Sequence, residues 1–356
     1  MWATPLIEWY TNNKRDLPWR SSSNPYHIMV CEFMAQQTQI ATLIPYYSRW
    51  LDTFPRLEDV ANADEDRILK CWEGLGYYSR ARNLQKACQV IVNQHKGNLP
   101  ENPDELMALP GIGPYIAAAI ASIAFNVPIA VVDGNVLRVM ARFYGLRDDI
   151  GKEKTKQALQ RRLNQDIKQY PPSDFNQGLM ELGATVCTPK APNCGGCPLA
   201  VTCYAKNMNE TETLPIKSKK KPIPHHTIVV GIIKNNHGKV LITKRKKNQL
   251  LGGLWEFPGG KVEENETIED ALTREIKEEV ALDIAIESFA CKVNHAYSHF
   301  KITMHAYICI ATDTNPLHCT SADAHEWVTL SELNRFAFPK ANNKIIAHLI
   351  AENQLA

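Results

Sequence analysis

The sequence predicts two domains of different class. An all-α domain covers residues 1–206 and a smaller α+β domain covers 227–356, with a linker over 207–226. Three observations carry this reading. The chain has 356 residues, more than twice the size of a typical single domain of about 150. Up to residue 206, apolar residues recur at three- and four-residue spacing, the period of amphipathic helices. Beyond 227 come β-rich runs, TIVVGIIK, KVLITKRK and KITMHAYICI.

The elements follow in order. Asp64–Trp72, Arg80–His95, Pro114–Phe125, Val136–Tyr144 and Lys152–Gln165 read as helices. Turn signals at Gly74–Gly76, Gly97–Pro100 and Pro171–Pro172 separate them. The stretch TETLPIKSKKKPIPHH is poor in apolar residues and places lysines at 217, 219, 220 and 221, as an exposed linker does. Glu269–Val280 is a helical insertion between strands, and Asn343–Ala351 a last helix.

Composition excludes several classes. With 44% hydrophobic and 22% charged residues, the chain is neither disordered, collagen-like nor a disulfide scaffold. Lys+Arg 40 against Asp+Glu 38 leaves a formal charge of +2, so any nucleic-acid contact must use local patches. The N-terminus lacks an apolar stretch of signal-peptide length. The longest apolar run, Tyr115 to Val132, is broken by Ser122, Asn126 and Pro128 and reads as a buried helix, not a membrane span. The expectation is a cytoplasmic monomer in a reducing compartment, with unpaired cysteines and no membrane partner.

Four segments carry candidate chemistry. In CTPKAPNCGGCPLAVTC, gaps of six, two and five residues separate Cys187, Cys194, Cys197 and Cys203. Four thiolates this close can wrap one metal centre; ligand count alone suits structural zinc and an iron–sulfur cluster equally. LPGIGPYIAAAI, residues 109–120, reads as helix, tight turn, helix. Gly111 and Gly113 free the turn's backbone, and its amides can face a phosphate. Asp133 follows an apolar run and precedes a helix, where an N-cap would stand. Glu32 is the one charged residue in HIMVCEFMA; either it lies on a polar helix face or it is poorly hydrated, with the raised pKa that suits a general acid.

The cysteine spacing and the hairpin resemble those of the endonuclease III superfamily of DNA glycosylases. LPWR (17–20), EFMAQQTQIATLIPYY, WEGLGYYSRARNL and FNQGLMELG resemble the adenine DNA glycosylase family, over nearly all of residues 5–204. The resemblance implies a helix–hairpin–helix domain with an iron–sulfur cluster loop, one 4Fe–4S cluster on the four cysteines, and an enzyme of base excision repair. Its substrate would be duplex DNA with adenine mispaired with 8-oxoguanine or guanine, the adenine flipped out before cleavage. Glu32 matches the general acid. Asp133 matches the carboxylate that stabilises the oxocarbenium-like sugar, with Tyr115 and Asn135 supporting the pair. Trp19, Arg20 and Gln177 match the adenine pocket. Gln37, Leu75 and Tyr77 match residues that wedge into the stack beside the lesion, Thr38 is a further expected DNA contact, and Gly111 and Gly113 match the DNA-backbone contact. Bifunctional members of the superfamily use a lysine where this chain has Tyr115, so a monofunctional glycosylase is expected. Ile116 departs from the family's common Thr.

GGKVEENETIEDALTREIKEEVAL, residues 259–282, is similar to the Nudix box. Gly260, Glu266, Arg274-Glu275-Ile276 and Glu278-Glu279 fit, and Ala281 stands where the box has Gly, which puts the following loop in question. Glu275, Glu278 and Glu279 share a helix face, where a Mg²⁺ among them would relieve their repulsion. In the adenine glycosylase family a Nudix-like domain senses 8-oxoguanine through a Phe-Ser-His element, for which this chain offers Tyr297, Ser298 and His299. Two alternatives follow: a domain that also hydrolyses oxidised nucleoside triphosphates, or a chain that senses the lesion with weak catalysis.

Overall fold

The computed structural model describes residues 1–218, 222–312, 319 and 321–352. The chain divides into two compact units, neither contiguous: Met1–Asn62 with Asn83–Lys220, and Ala63–Arg82 with Lys221–Ala356. The segment Ala63–Arg82, expected from sequence with the helical domain, thus groups with the second unit.

The first unit is helical. Its site rests on the helices Pro25–Ala35, Pro114–Phe125, Gly134–Tyr144 and Pro172–Thr185. Pro25–Ala35 is buried nearly all round, from Tyr26 through Met34, which explains an apolar sequence with no clear polar face. Pro114 occupies the first turn of its helix, where its missing N–H costs nothing, and Asn126 closes that helix in the left-handed conformation. Asp133 does stand as N-cap of Gly134–Tyr144. One core cluster joins Leu6, Leu137, Met140, Phe143, Phe175 and Leu179. Of the expected linker, Asn207 ends the short helix Tyr204–Asn207, Leu214 is buried, and Ile150 N donates to Ile216 O at 3.0 Å. No helix among the described residues is long and apolar enough to cross a membrane.

The second unit carries a seven-stranded mixed sheet. Its strands are β1 (His225–Lys234), β2 (Val240–Arg245), β3 (Trp255–Glu256), β4 (Gly259–Lys261), β5 (Ile284–Ala296), β6 (Lys301–Ala311) and β7 (Ala322–Val328). They run in the order β3-β2-β1-β6-β5, with β4 pairing β1 and β7 pairing β2. Among the described residues only β1 and β6 pair in parallel, Ile228 opposite Met304. Helix Ile268–Val280 packs Leu272 and Ile276 on Val229, Ile233 and Leu241. On the opposite face, Ile345 and Leu349 of helix Lys340–Ala351 meet Val230, Ile232 and Ile308. The alternation along β1 explains both faces: odd and even positions serve different helices.

Candidate active site

A cavity of about 270 Å³ opens in the first unit among Trp19, Arg20, Glu32, Tyr115, Asp133 and Gln177; Thr38 and Asn135 also line it. Glu32 lies in the middle of an all-apolar helix and is 7% exposed. Its Oε2 finds no hydrogen-bond partner. Burial raises its pKa to about 7; the Tyr115 hydroxyl pulls it down and the Asp133 charge pushes it up. The carboxyl is therefore poised to give or take a proton near neutrality.

Asp133 is held differently. Its Oδ1 accepts from Val136 N at 2.7 Å and its Oδ2 from Asn135 Nδ2 at 2.9 Å. Burial still raises its pKa, against those two bonds and the nearby Arg138 charge. Arg138 donates in turn to Asn135 Oδ1 (2.9 Å), Gly183 O (2.7 Å) and Cys187 O (2.8 Å). Tyr115 donates to Met180 Sδ at 3.9 Å, and burial holds its hydroxyl well above the usual range, so it stays protonated.

Sequence reasoning missed Glu181 and Arg15 in the same cavity. Glu181 is 1% exposed, yet it stays ionised with its pKa lowered to about 2. Burial works against this charge; Arg15 (2.7 and 2.8 Å) and Arg20 (2.7 Å) overcome it. The only sequence signal was the pairing of LPWR with ELG across more than 160 residues, invisible to local patterns. Trp19 meets Tyr47 edge to face at 5.4 Å, and Gln177 Nε2 donates to Ser173 Oγ at 3.0 Å.

The hairpin turn is as expected at Gly111 but not at Gly113. Gly111 has φ +77°, and a Cβ there would stand 2.5 Å from Asn83 Cβ, so only glycine fits. Gly113 has φ −92°, open to any residue, and nothing lies within 4 Å of where its Cβ would be. Its smallness leaves space beside the backbone instead of serving the turn's conformation. Gln37 is exposed in a turn with φ +56° and does not line the cavity.

Cys187, Cys194, Cys197 and Cys203 line one small cavity with Arg142 and Lys206. Burial and the neighbouring thiols push Cys197 up to about 11. Arg142, 2% exposed, ties the loop down through Thr188 O (2.7 Å) and Pro189 O (3.2 Å), with Nη1 at 3.4 Å from Cys187 Sγ. Among the described residues, no three Cys, His, Asp or Glu are placed to hold a metal ion. The four thiols line one cavity, which matches the ligand count of a four-cysteine centre.

In the second unit a larger cavity, about 360 Å³, is lined by Leu75, Tyr77, Tyr297, Ser298, His299 and Phe300 among others. Leu75 is 8% exposed here, not a protruding wedge. Tyr77, at φ +49°, donates its hydroxyl to Ser298 Oγ. Tyr297 stacks on Phe300 at 4.7 Å, fixing the loop between β5 and β6.

The expected three-carboxylate face divides. Glu279 turns inward, its Oε2 accepting from Gly259 N at 3.0 Å, and burial raises its pKa to about 7 with Glu256 and Glu275 adding to the rise. Glu278 remains largely exposed, 3.4 Å from Arg274. Arg274 clamps Glu266 (2.8 and 2.9 Å) and reaches Glu275 at 3.0 Å. The trio thus does not converge on one point, which counts against the expected Mg²⁺ site. Ala281 adopts φ +57°, the left-handed geometry a glycine would take, so the helix ends as the box requires despite the substitution.

Comparison with known proteins agrees with this architecture. Residues 30–165 match the HhH-GPD superfamily of base excision DNA repair proteins, and residues 229–348 match the NUDIX domain. The chain is 34% identical to the adenine DNA glycosylase of Mus musculus, over 96% of this chain and 76% of that one. Against the adenine DNA glycosylase of Schizosaccharomyces pombe it is 30% identical, over 92% and 85%. Among solved structures, a thermostable thymine-DNA glycosylase superposes with a TM-score of 0.53 at 27% identity, covering 58% of this chain and 95% of that one.

Proposed function

The chain belongs to the adenine DNA glycosylase family, and from that premise we propose that it removes adenine mispaired with 8-oxoguanine or guanine in duplex DNA. One observation carries the reading: Glu32 and Asp133, far apart in sequence, line the same cavity, one with an unpartnered carboxyl oxygen and the other with both oxygens hydrogen-bonded. The flipped adenine enters between Trp19 and Gln177. Glu32, protonated near neutral pH, donates to a ring nitrogen, and the electron pair of the glycosidic bond leaves with the base. The deoxyribose gains oxocarbenium character, which the Asp133 carboxylate stabilises from its N-cap position. Asn135 holds the carboxylate's second oxygen. With Tyr115 in place of a lysine, no amine attacks the sugar; a solvent water adds to C1′, releases a proton to solvent, and an abasic site remains.

Cys187, Cys194, Cys197 and Cys203 hold a 4Fe–4S cluster in this reading, and the cluster orders the loop around it. The hairpin at Gly111 and Gly113 presents backbone amides to a phosphate. Tyr77, Tyr297, Ser298 and His299 read the base opposite the adenine: Ser298 and His299 supply hydrogen bonds to the edge that distinguishes 8-oxoguanine from guanine, and the aromatic rings pack against it.

The test is single-turnover cleavage of duplexes bearing A opposite 8-oxoguanine, A opposite G, and T opposite 8-oxoguanine. Alkali-revealed cleavage at the adenine, fastest opposite 8-oxoguanine, is the expected result. A protein that binds the first duplex without cutting would overturn it.

A second reading adds hydrolysis of oxidised nucleoside triphosphates. The Arg274–Glu266 clamp and the Ala281 helix end favour it; the outward Glu278 does not. Absence of pyrophosphate after incubating the full chain with 8-oxo-dGTP and Mg²⁺ would remove it.

A further inference from the structure

The loop between helix Glu65–Trp72 and the helix beginning at Ser79 has an unusual backbone. Gly74, Gly76 and Tyr77 all take positive φ, at +97°, +73° and +49°. Glycine adopts this region freely, but a tyrosine does so only when its surroundings hold it there. Gly76 has nothing within 4 Å of a would-be Cβ, so its glycine serves the conformation and not a close contact.

The holding group is Arg80, only 6% exposed. Its Nη2 donates to Gly76 O at 3.0 Å and to Leu75 O at 3.3 Å. The same guanidinium lies 5.3 Å from the Trp72 ring centre and 5.5 Å from that of Tyr77. Trp72 Nε1 adds a second donor to Gly76 O at 3.1 Å. A buried cation thus engages two loop carbonyls and two ring faces. Burial lowers its pKa to about 10, still charged at neutral pH. Both carbonyl bonds leave one nitrogen while the flat guanidinium also lies near the two rings; a lysine's point charge on a flexible stem has no such plane to set against them.

We propose that Arg80 is a positioning residue for adenine excision, fixing the left-handed Tyr77 so that its ring and hydroxyl are presented to the lesion-bearing strand beside Ser298. The inference rests on the reading of Tyr77 and Ser298 given above. Arg80 touches no reacting atom; it acts through Tyr77, and its loss is felt only where Tyr77 is needed.

A double-mutant cycle on the full chain tests this. Wild type, Arg80→Lys, Tyr77→Ala and the double variant are compared in single-turnover excision of A opposite 8-oxoguanine. Each single variant is expected to lose on the order of ten- to a hundredfold, as misplaced binding groups do, and the double variant to lose no more than Tyr77→Ala alone. A second readout needs binding only: 2-aminopurine placed next to 8-oxoguanine brightens when the stack is opened. That signal should fall equally in both single variants. Losses that multiply, an Arg80→Lys variant that equals wild type, or one that slows while Tyr77→Ala does not, each overturn the proposal. Should Arg80→Lys fail to fold, Arg80→Gln, which keeps one carbonyl contact, enters the same cycle. The wild-type rates opposite 8-oxoguanine and G test the parent reading separately, and the fluorescence arm decides the role of Arg80 even in a chain that does not cut.

Discussion

Glu32→Gln separates catalysis from stability by their pH dependence. In the folded chain burial carries the Glu32 carboxyl from 4.5 to about 7, so the native state binds a proton there that the unfolded chain has released. Between those two values, raising the pH removes stability from the wild type. A shift of about 2.5 units corresponds to about 3 kcal/mol once both states are ionised. Between pH 5 and pH 8.5, about 2 to 3 kcal/mol of that cost develops. Glutamine nearly matches the size of the side chain and cannot ionise, so it avoids the cost. The variant should therefore unfold at higher denaturant than wild type at pH 8.5, and the gap should shrink by that amount at pH 5. Helical ellipticity reports the first unit, where the residue sits. At every pH the variant should fail to excise adenine, while wild-type excision should fall as pH rises above about 7 in the free enzyme. A stability gap that does not change with pH would refute the buried, proton-binding carboxyl. Retained excision would refute its role as acid.

Other expectations are narrower. Asp133→Asn keeps the N-cap bond from Val136 N but sets an amide N–H against the Asn135 Nδ2 donor, so stability should fall by about 1 kcal/mol while excision falls about a hundredfold or more; a much more strongly destabilised variant would mean that the carboxylate serves mainly the fold. Ser298→Ala should slow excision opposite 8-oxoguanine about fivefold, the worth of about one hydrogen bond near 1 kcal/mol, and leave excision opposite G unchanged. Equal slowing of both substrates would take Ser298 out of lesion reading. Gly111→Ala must strain φ +77° and push Asn83 aside, with an expected loss of about 1–3 kcal/mol in the helical unit and weaker DNA binding; chemical denaturation and a filter-binding titration would check both. Borohydride treatment during turnover should trap no covalent DNA adduct, because Tyr115 offers no amine; a trapped adduct would require a nucleophile elsewhere in the cavity.

Some of this was legible from sequence because it is local. A lone Glu in an apolar helix, an Asp before a helix and four crowded cysteines each announce themselves within a dozen residues. Other features depend on distant partners. Glu181 sits in an ordinary helical stretch, and nothing nearby shows that Arg15 and Arg20 will keep it ionised at 1% exposure. Leu75 and Tyr77 read alike as exposed candidates, yet Arg80 folds the loop so that Leu75 is buried and Tyr77 faces Ser298. Gly111 and Gly113 look equivalent in a hairpin motif, but only the first has positive φ. The three Nudix glutamates share a helical face by spacing alone. Which of them turns inward is decided by the Gly259 amide and by Arg274, set by β4 packing beside the helix.

The two carboxyls show how a single cavity can hold an acid and an anion together. Burial pushes both pKa values up. At Asp133 the start of a helix opposes that rise: the Val136 amide, the Asn135 side chain and, behind it, Arg138 all favour the charged form. Glu32 stands mid-helix, where the backbone amides are already engaged, and its Oε2 has no donor at all. The difference in proton affinity is thus a difference in position along a helix, and the Asp133 charge widens it by raising Glu32 further. The pair is coupled: burial makes Glu32 a weaker acid and the Asp133 charge adds to that, while a protonated Glu32 sets no second negative charge beside Asp133. Only that combination supplies both a proton for the leaving base and a negative charge for the sugar.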